Sequence, residues 1–418
     1  MNTPAAKGRM TYSGPFTLLL LASIIGLAYG VWYAYSVFLV ALLNEFGWSR
    51  STLAGAFSVF AIVHGCANPL VGYLCDRVRP AIVMAVGSVL LAGALYLNSL
   101  IEQVWHLYLT FGVATAIAVS LCGWTPSVIL VQKRFSNRLG LALGIVSAGI
   151  GMGMLIVVPF CQYLIDSVGW RDAFASFSLV CLAVILPSAL FLLKIGKSEQ
   201  EGIPVDDSVS DISKHSRSKN ITLAQALRGK AFWLMAAAFF FGGVCSQTLH
   251  VHQVAYLVDH GMQAMTAAVL VGIVGVASIV GKIGGGWLSD YVERELVYVW
   301  GISILVVSVF VLMFVGETGQ HYVSYLYACL LGIGYSATAA LMPAMMSDRF
   351  DGPNFGSILG TGLLGSALGS AVGPWMGGFL FDVTGSYTTP FLIAILCGVI
   401  TSAAVWYALK WRLLTKSY

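Results

Sequence analysis

Charge is what this sequence has least of. Only 10% of its 418 residues are Asp, Glu, Lys or Arg, where an ordinary soluble domain carries roughly a quarter. Hydrophobic residues make up 58%, and the mean hydropathy is +0.85. That balance excludes water as the solvent for most of the chain. Polar stretches are scarce as well, and the long one, 194–230, is too short to hold a soluble domain. The 8 cysteines (66, 75, 122, 161, 181, 245, 329 and 397) contain no C-x-x-C and no adjacent His/Cys set, so they read as small core residues. Neither a metal nor a cofactor is expected. The net charge of +4 is scattered over short loops, which argues against nucleic acid as a partner. Residues 1–14 lack the apolar core and cleavage site of a secretory signal, so the first apolar run is expected to be retained.

What is abundant is runs of about 20 apolar residues, the length that crosses a bilayer as a helix. They lie near 16–43, 52–75, 80–100, 104–131, 139–166 and 170–193, and again near 231–258, 264–289, 296–316, 320–347, 355–381 and 388–410. The expected fold is an all-α membrane protein of twelve transmembrane helices. It divides into a six-helix half over 1–193, a linker over 194–230 with an amphipathic segment at Leu223 to Leu227, and a second half over 231–418. Lys and Arg set the orientation, because loops on the cytoplasmic side carry the excess. Of the 22, Arg50 and Arg171 fall on one side and Lys282 inside a span; the rest, among them Lys7, Arg9, Arg77, Arg79, Lys133, Arg134, Arg138, Arg294 and Arg349, fall on the other. Both termini are therefore expected in the cytoplasm, with the chain in a cell membrane such as the bacterial inner membrane.

The halves repeat. GYLCDR at 72–77 returns as GWLSDY at 286–291, Arg134-Phe135 as Arg349-Phe350, and QYLID ending at Asp166 as GFLFD ending at Asp382. The shifts are 214, 215 and 216 residues, each at the corresponding loop. A near-constant shift of this kind marks duplicated six-helix units.

Lys282 is the charged residue deepest in any span. It precedes Asp290 by eight residues, about 12 Å of helix, while half the hydrocarbon core is about 15 Å. A lysine side chain cannot reach the interface from that depth without a water-filled path. Such a cation is costly in lipid and defaults to a functional role, here the binding of an anion. The 18 acidic residues lie at helix ends, in loops or in the linker, which leaves His250, His252 or Lys282 as titrating groups near the midplane. Two residues apart on a helix, the histidines point about 200° from each other, so at most one faces a central cavity; His250 is taken as that one. His64 reads as structural. By span and depth, Tyr29, Tyr33, Ser120 and Ser147 complete a candidate cavity.

The pattern at Gly72, Asp76 and Arg77 resembles the G-x-L-x-D-R loop signature of the major facilitator superfamily, although Arg79-Pro80 interrupts its usual continuation. Gly72 would permit close helix approach and Asp76 would pair with Arg77 or cap a neighbouring helix; Gly286 and Asp290 are their counterparts in the repeat. The stretches EFGWSRSTLAGAFSVF (45–60), RF-x-x-R-L-G-L-A-L-G-I (134–145), Gly169-Trp170-Arg171 and HQVAYLVDHGM (252–262) resemble the monocarboxylate porter branch, which includes lactate and pyruvate carriers and lies close to oxalate–formate exchangers. The resemblance implies an arginine at position 282 to hold the substrate carboxylate, where this chain has lysine. It also implies an aspartate one turn earlier in some lactate-type members, where this chain has Ser278, and a substrate-facing residue at Tyr335. The implied activity is secondary transport of a small monocarboxylate with a proton, by a monomer in the lipid bilayer. An organic-anion exchanger is the nearest rival; a drug extruder and a transporter-like sensor stand further off. No nucleophile–base pair or ligand set suggests an enzyme.

Overall fold

The computed structural model describes residues 13–135, 139–200, 221–320, 322–350 and 355–416. Lys7, Arg9, Arg138 and the part of the expected linker at 201–220 lie outside the described residues. The long helices are α1 (Ser13–Phe46), α2 (Arg50–Arg77), α3 (Pro80–Ser99), α7 (Leu139–Gln200), α9 (Lys230–Asp259), α10 (Ala264–Leu288), α11 (Arg294–Thr318), α12 (Val323–Phe350), α13 (Phe355–Thr384) and α14 (Thr388–Lys416). The fourth crossing is segmented into α4 (Val104–Leu107), a π-helical stretch (Tyr108–Thr115), α5 (Ala116–Cys122) and α6 (Trp124–Arg134). Short α8 (Leu223–Arg228) precedes α9 and opens on a capping box, in which the Gln225 N–H donates to Thr222 Oγ1 and the Thr222 N–H to Gln225 Oε1.

Among the described residues eleven helices are long and apolar enough to cross a membrane, but one of them makes two crossings. Helix α7 has 62 residues, about 93 Å if straight, three times the hydrocarbon thickness. Its break is Gly169, at φ 82° and ψ 162°, a backbone conformation open to glycine and strained for other residues. Contacts with α1 show the chain folding back there. Gly26 meets the Gly149 carbonyl and Gly30 meets Val157, so the first arm runs parallel to α1. On the second arm Phe174 stacks on Phe38 at 3.7 Å and Phe191 meets Phe16 at 5.1 Å, the antiparallel order. Helix α7 also continues past 193, where the linker was expected to begin, as far as Gln200.

The repeat is visible in the packing. In the second half Ala236, Phe240 and Val244 of α9 present carbonyls to Gly365, Gly369 and Gly373 of α13, matching the α1–α7 pair of the first half. A glycine every four residues lets two backbones approach along a whole ridge, and van der Waals contact there replaces the hydrophobic drive that lipid does not provide.

The face holding the start of α1 and the end of α14 is here the terminal face; its opposite is the far face. Between the halves, α7 touches α10 at Gly151 and Gly275 and at Leu155 and Gly272, while α2 touches α13 at Gly65 and Ala367 and through a 2.5 Å hydrogen bond from Ser58 Oγ to the Ala371 carbonyl. Continued toward the terminal face, these registers bring Gly144 opposite Gly284 and Gly286, and Gly72 opposite Gly360. There the helices have parted. A Cβ built on Gly144, Gly284, Gly286 or Gly360 meets nothing within 4 Å, and one on Gly72 meets only the Thr125 methyl, at 3.8 Å. The expected close approach at Gly72 is thus absent in this conformation, because the halves meet at the far face and splay at the terminal one.

Candidate functional site

Helices α1, α9, α10 and α12 bring the central groups together. The Tyr33 hydroxyl of α1 and the Tyr335 hydroxyl of α12 lie 2.5 Å apart, a hydrogen bond joining the two halves. The His250 ring of α9 packs on both, with centroids 5.3 Å from Tyr33 and 4.7 Å from Tyr335. His250 Nδ1 lies 2.8 Å from the Ser246 carbonyl. A carbonyl only accepts, so Nδ1 carries the proton in the neutral ring and Nε2 keeps its lone pair. That Nε2 is buried and has no protein partner.

Lys282 Nζ is likewise buried and unpartnered. Its neighbour Gly281 abuts Ile333 and Ser336 of α12, which puts Lys282 in the same layer of the molecule as Tyr335. Ser246 Oγ and Gln247 Oε1, one helical turn from His250, are also buried without partners. The site therefore offers a cation, an imidazole lone pair, two phenols and uncommitted polar atoms in a low-dielectric setting, where each is worth more than in water.

The other expected residues separate into groups. Tyr29 stacks on Trp32 with centroids 6.1 Å apart and meets the His64 ring at 6.0 Å; Gly123, where the fourth crossing breaks, leaves room for its ring. Ser278 and Ser120 are fully buried and donate to carbonyls of their own helices, Gly275 at 2.7 Å and Ala116 at 2.9 Å. Ser147 donates to Gly144 at 2.9 Å and lies where α7 and α10 part. Ser120 Oγ also lies 3.5 Å from the His64 carbonyl, and the hydrogen bonds of these serines go to backbone carbonyls rather than to Tyr33, Tyr335 or the His250 ring. At the terminal face Arg77 lies over the Tyr73 ring at 4.4 Å, and Asp290 sits exposed in the turn after α10.

The two histidines part as the helical geometry requires. His252 is fully buried toward the far face, with Nδ1 3.0 Å from the Tyr387 hydroxyl and Nε2 2.8 Å from the Pro374 carbonyl. Tyr387 accepts from Arg50 Nη1 at 2.7 Å, and Arg50 pairs with Asp259 at 2.7 Å while lying over the Phe381 ring at 4.0 Å. The backbone N–H groups of Arg50 and Ser51 donate to Asp382 at 2.9 and 2.8 Å. This network, which closes the far face beside a polar cavity of about 350 Å³ lined by Arg50, Asp259, Glu317 and Tyr387, was not read from the sequence. Its parts are separated by up to 337 residues. Ser246 and Gln247 could have been found, since the shift of 214 maps them onto Trp32 and Tyr33.

Twelve apolar crossings in two halves, joined at one face and parted at the other around uncommitted buried polar groups, define a membrane carrier. The chain belongs to the Major Facilitator Superfamily, whose family model matches residues 21–331 and, in a second placement, 258–416. It is a transporter rather than an enzyme. Among curated relatives it is 26% identical over 386 residues to monocarboxylate transporter 12 of Xenopus laevis (88% of this chain, 84% of that one). It is 28% identical over 385 residues to human monocarboxylate transporter 12 (87% and 73%), and 25% over 414 residues to human monocarboxylate transporter 2 (94% and 85%). Its fold is similar to that of a bacterial homologue of the human lysosomal transporter Spinster, in a structure described as inward-facing and unoccupied. The TM-score is 0.70 and the identity 15%, over 96% of this chain and 98% of that one.

Proposed function

We propose that this protein carries a small monocarboxylate, such as lactate, pyruvate or acetate, across a cell membrane by alternating access, together with a proton. The observation that carries the reading is the buried, unpartnered Lys282 Nζ in the layer of Tyr335 and His250. An ammonium in that setting calls for an anion, and one fixed cation suits one carboxylate. The relatives named as monocarboxylate transporters support the substrate class. The His250 Nε2 lone pair supports the proton, since an imidazole is the midplane group suited to binding one near neutral pH. Tyr33 and Tyr335 form the septum between the halves, and their hydroxyls are donors for a carboxylate oxygen.

The Lys and Arg distribution supports an orientation with both termini in the cytoplasm, as in a bacterial inner membrane. In that orientation the closed far face is external and the parted terminal face internal, so the structure is an inward-open state. Nothing in the reading needs a second subunit; the protein works as a monomer in the bilayer.

The test is uptake of labelled lactate into liposomes holding the purified protein, with pyruvate and acetate as competitors and an imposed inward proton gradient. Saturable, gradient-driven uptake that disappears in Lys282→Ala supports the reading. Uptake that ignores the gradient but requires an anion inside the liposome replaces symport with exchange, which the lack of a midplane carboxylate favours. No uptake in any arrangement removes the substrate assignment.

A further inference from the structure

Among the described residues, two further buried donors that lack a protein partner stand side by side in the first half. Trp32 of α1 stands edge to face on His64 of α2, with ring centroids 5.1 Å apart and planes at 86°. The same indole packs on Phe57 and Phe60, so it is held against one face of α2. The imidazole is oriented from behind. Thr125 Oγ1 donates to Asn68 Oδ1 at 2.8 Å, and Asn68 Nδ2 donates to the His64 carbonyl at 2.8 Å and lies 3.3 Å from His64 Nδ1. An amide nitrogen only donates, so Nδ1 accepts and the proton of the neutral ring is on Nε2. The chain from Thr125 thus fixes the tautomer.

The result is two N–H groups, His64 Nε2 and Trp32 Nε1, on touching rings, both buried and neither bonded to protein. Buried donors are nearly always satisfied in native proteins, and leaving one unmade is costly. Both call for the same kind of partner, an oxygen that accepts. Their location adjoins the central cluster: the Tyr29 ring lies 6.1 Å from Trp32 and 6.0 Å from His64, and Tyr29 is one helical turn before Tyr33, whose hydroxyl bonds Tyr335. The repeat carries the same message. A shift of 214 maps His64 onto Ser278 and Asn68 onto Lys282, so α2 and α10 set their polar groups at matching depths on the two sides of the molecule.

We infer that His64 and Trp32 form a second subsite, in the first half, that reads an acceptor oxygen of the substrate other than the carboxylate held by Lys282. The inference rests on the monocarboxylate reading above and adds a selectivity to it. An acid bearing a 2-oxo group is recognised at its carboxylate and at its oxo oxygen, whereas an alkyl acid of the same charge and length leaves two buried donors unmade.

Pyruvate and propionate isolate that difference. Their uptake is compared in liposomes containing the full-length protein and the variants Trp32→Phe, His64→Leu and His64→Gln. The unaltered protein is expected to favour pyruvate by roughly tenfold, the worth of two modest hydrogen bonds. Trp32→Phe and His64→Leu reduce that preference to about twofold by lowering pyruvate uptake while keeping propionate uptake. In His64→Gln the side-chain amide reaches the place of Nε2–H and restores most of the preference. An unaltered protein without preference, or a preference untouched by Trp32→Phe, overturns the subsite, and the two donors then hold structural water. Propionate uptake with an unchanged ratio removes the subsite and leaves the carboxylate reading standing; uptake of neither acid removes both. If His64→Leu does not fold, the ratio in Trp32→Phe decides alone.

Discussion

Arg50 at the start of α2 and Asp259 at the end of α9 are 2.7 Å apart, and this ion pair ties the first half to the second at the far face. Tyr387 and the Phe381 ring hold the same guanidinium, and Asp382 caps the α2 N-terminus. Asp259 is 35% exposed, so solvent screens the pair and its contribution is about 1 kcal/mol. Arg50→Ala should therefore shift the balance toward an open far face by roughly fivefold. The check is the alkylation rate of a cysteine placed at Ser58, beneath the network, after replacing the exposed Cys66 and Cys329. An unchanged rate would show that helix packing alone holds this face shut.

Lys282 sets the second prediction. Lys282→Ala should weaken carboxylate binding by on the order of 10- to 100-fold, the worth of a hydrogen bond to a charged group. Lys282→Arg keeps the charge and adds a planar fork, so binding survives. If proton release by the lysine is part of the cycle, the arginine variant binds but does not translocate, because arginine stays protonated. Equilibrium binding and uptake, measured on the same preparations, separate these outcomes.

Glycines of one repeated pattern should respond in opposite ways. A Cβ at Gly365 or Gly373 runs into the Ala236 or Val244 carbonyl at 2.6 or 2.5 Å, so Gly365→Val and Gly373→Val should each lower the melting temperature by several degrees. A Cβ at Gly144 or Gly360 meets nothing within 4 Å, so Gly144→Ala and Gly360→Ala should leave it unchanged. Those same variants should slow turnover, because the terminal ends of α7 and α10, and of α2 and α13, have to meet when the far face opens. Thermal stability and uptake rate, read side by side, distinguish packing from motion. Equal rates in the Gly144 and Gly360 variants would mean that these ends stay apart throughout the cycle.

His250 is the fourth case. His250→Gln retains a hydrogen-bonding side chain but cannot take up a proton near neutral pH. Uptake should lose its dependence on the proton gradient while exchange of internal for external substrate persists. Tyr33→Phe removes the hydroxyl bond to Tyr335 and should raise the rate of exchange by loosening the septum without altering that dependence. Gradient-dependent uptake in His250→Gln would transfer the proton to another group, with Lys282 first in line.

The sequence by itself determined the solvent, the number of crossings and the duplication, because each of these rests on local composition and spacing. Apolar runs of bilayer length have no other stable setting, and a chain in lipid must satisfy its backbone within helices. The expected depth of Lys282 rests on the same kind of reasoning: rise per residue converts position into distance. Tertiary structure alone decided which polar groups meet. Tyr33 and Tyr335 are 302 residues apart, and Arg50 and Tyr387 are 337, so no window of sequence contains either pair. It also decided that Ser278 and Ser120 turn to their own helix carbonyls, and that His64 presents an N–H held in place by Asn68 and Thr125. The state of the carrier, joined at the far face and parted at the terminal one, belongs to the packing as well. Glycines line both ends of the α7–α10 and α2–α13 pairs, and only the packing brings the far ends together and leaves the terminal ends apart.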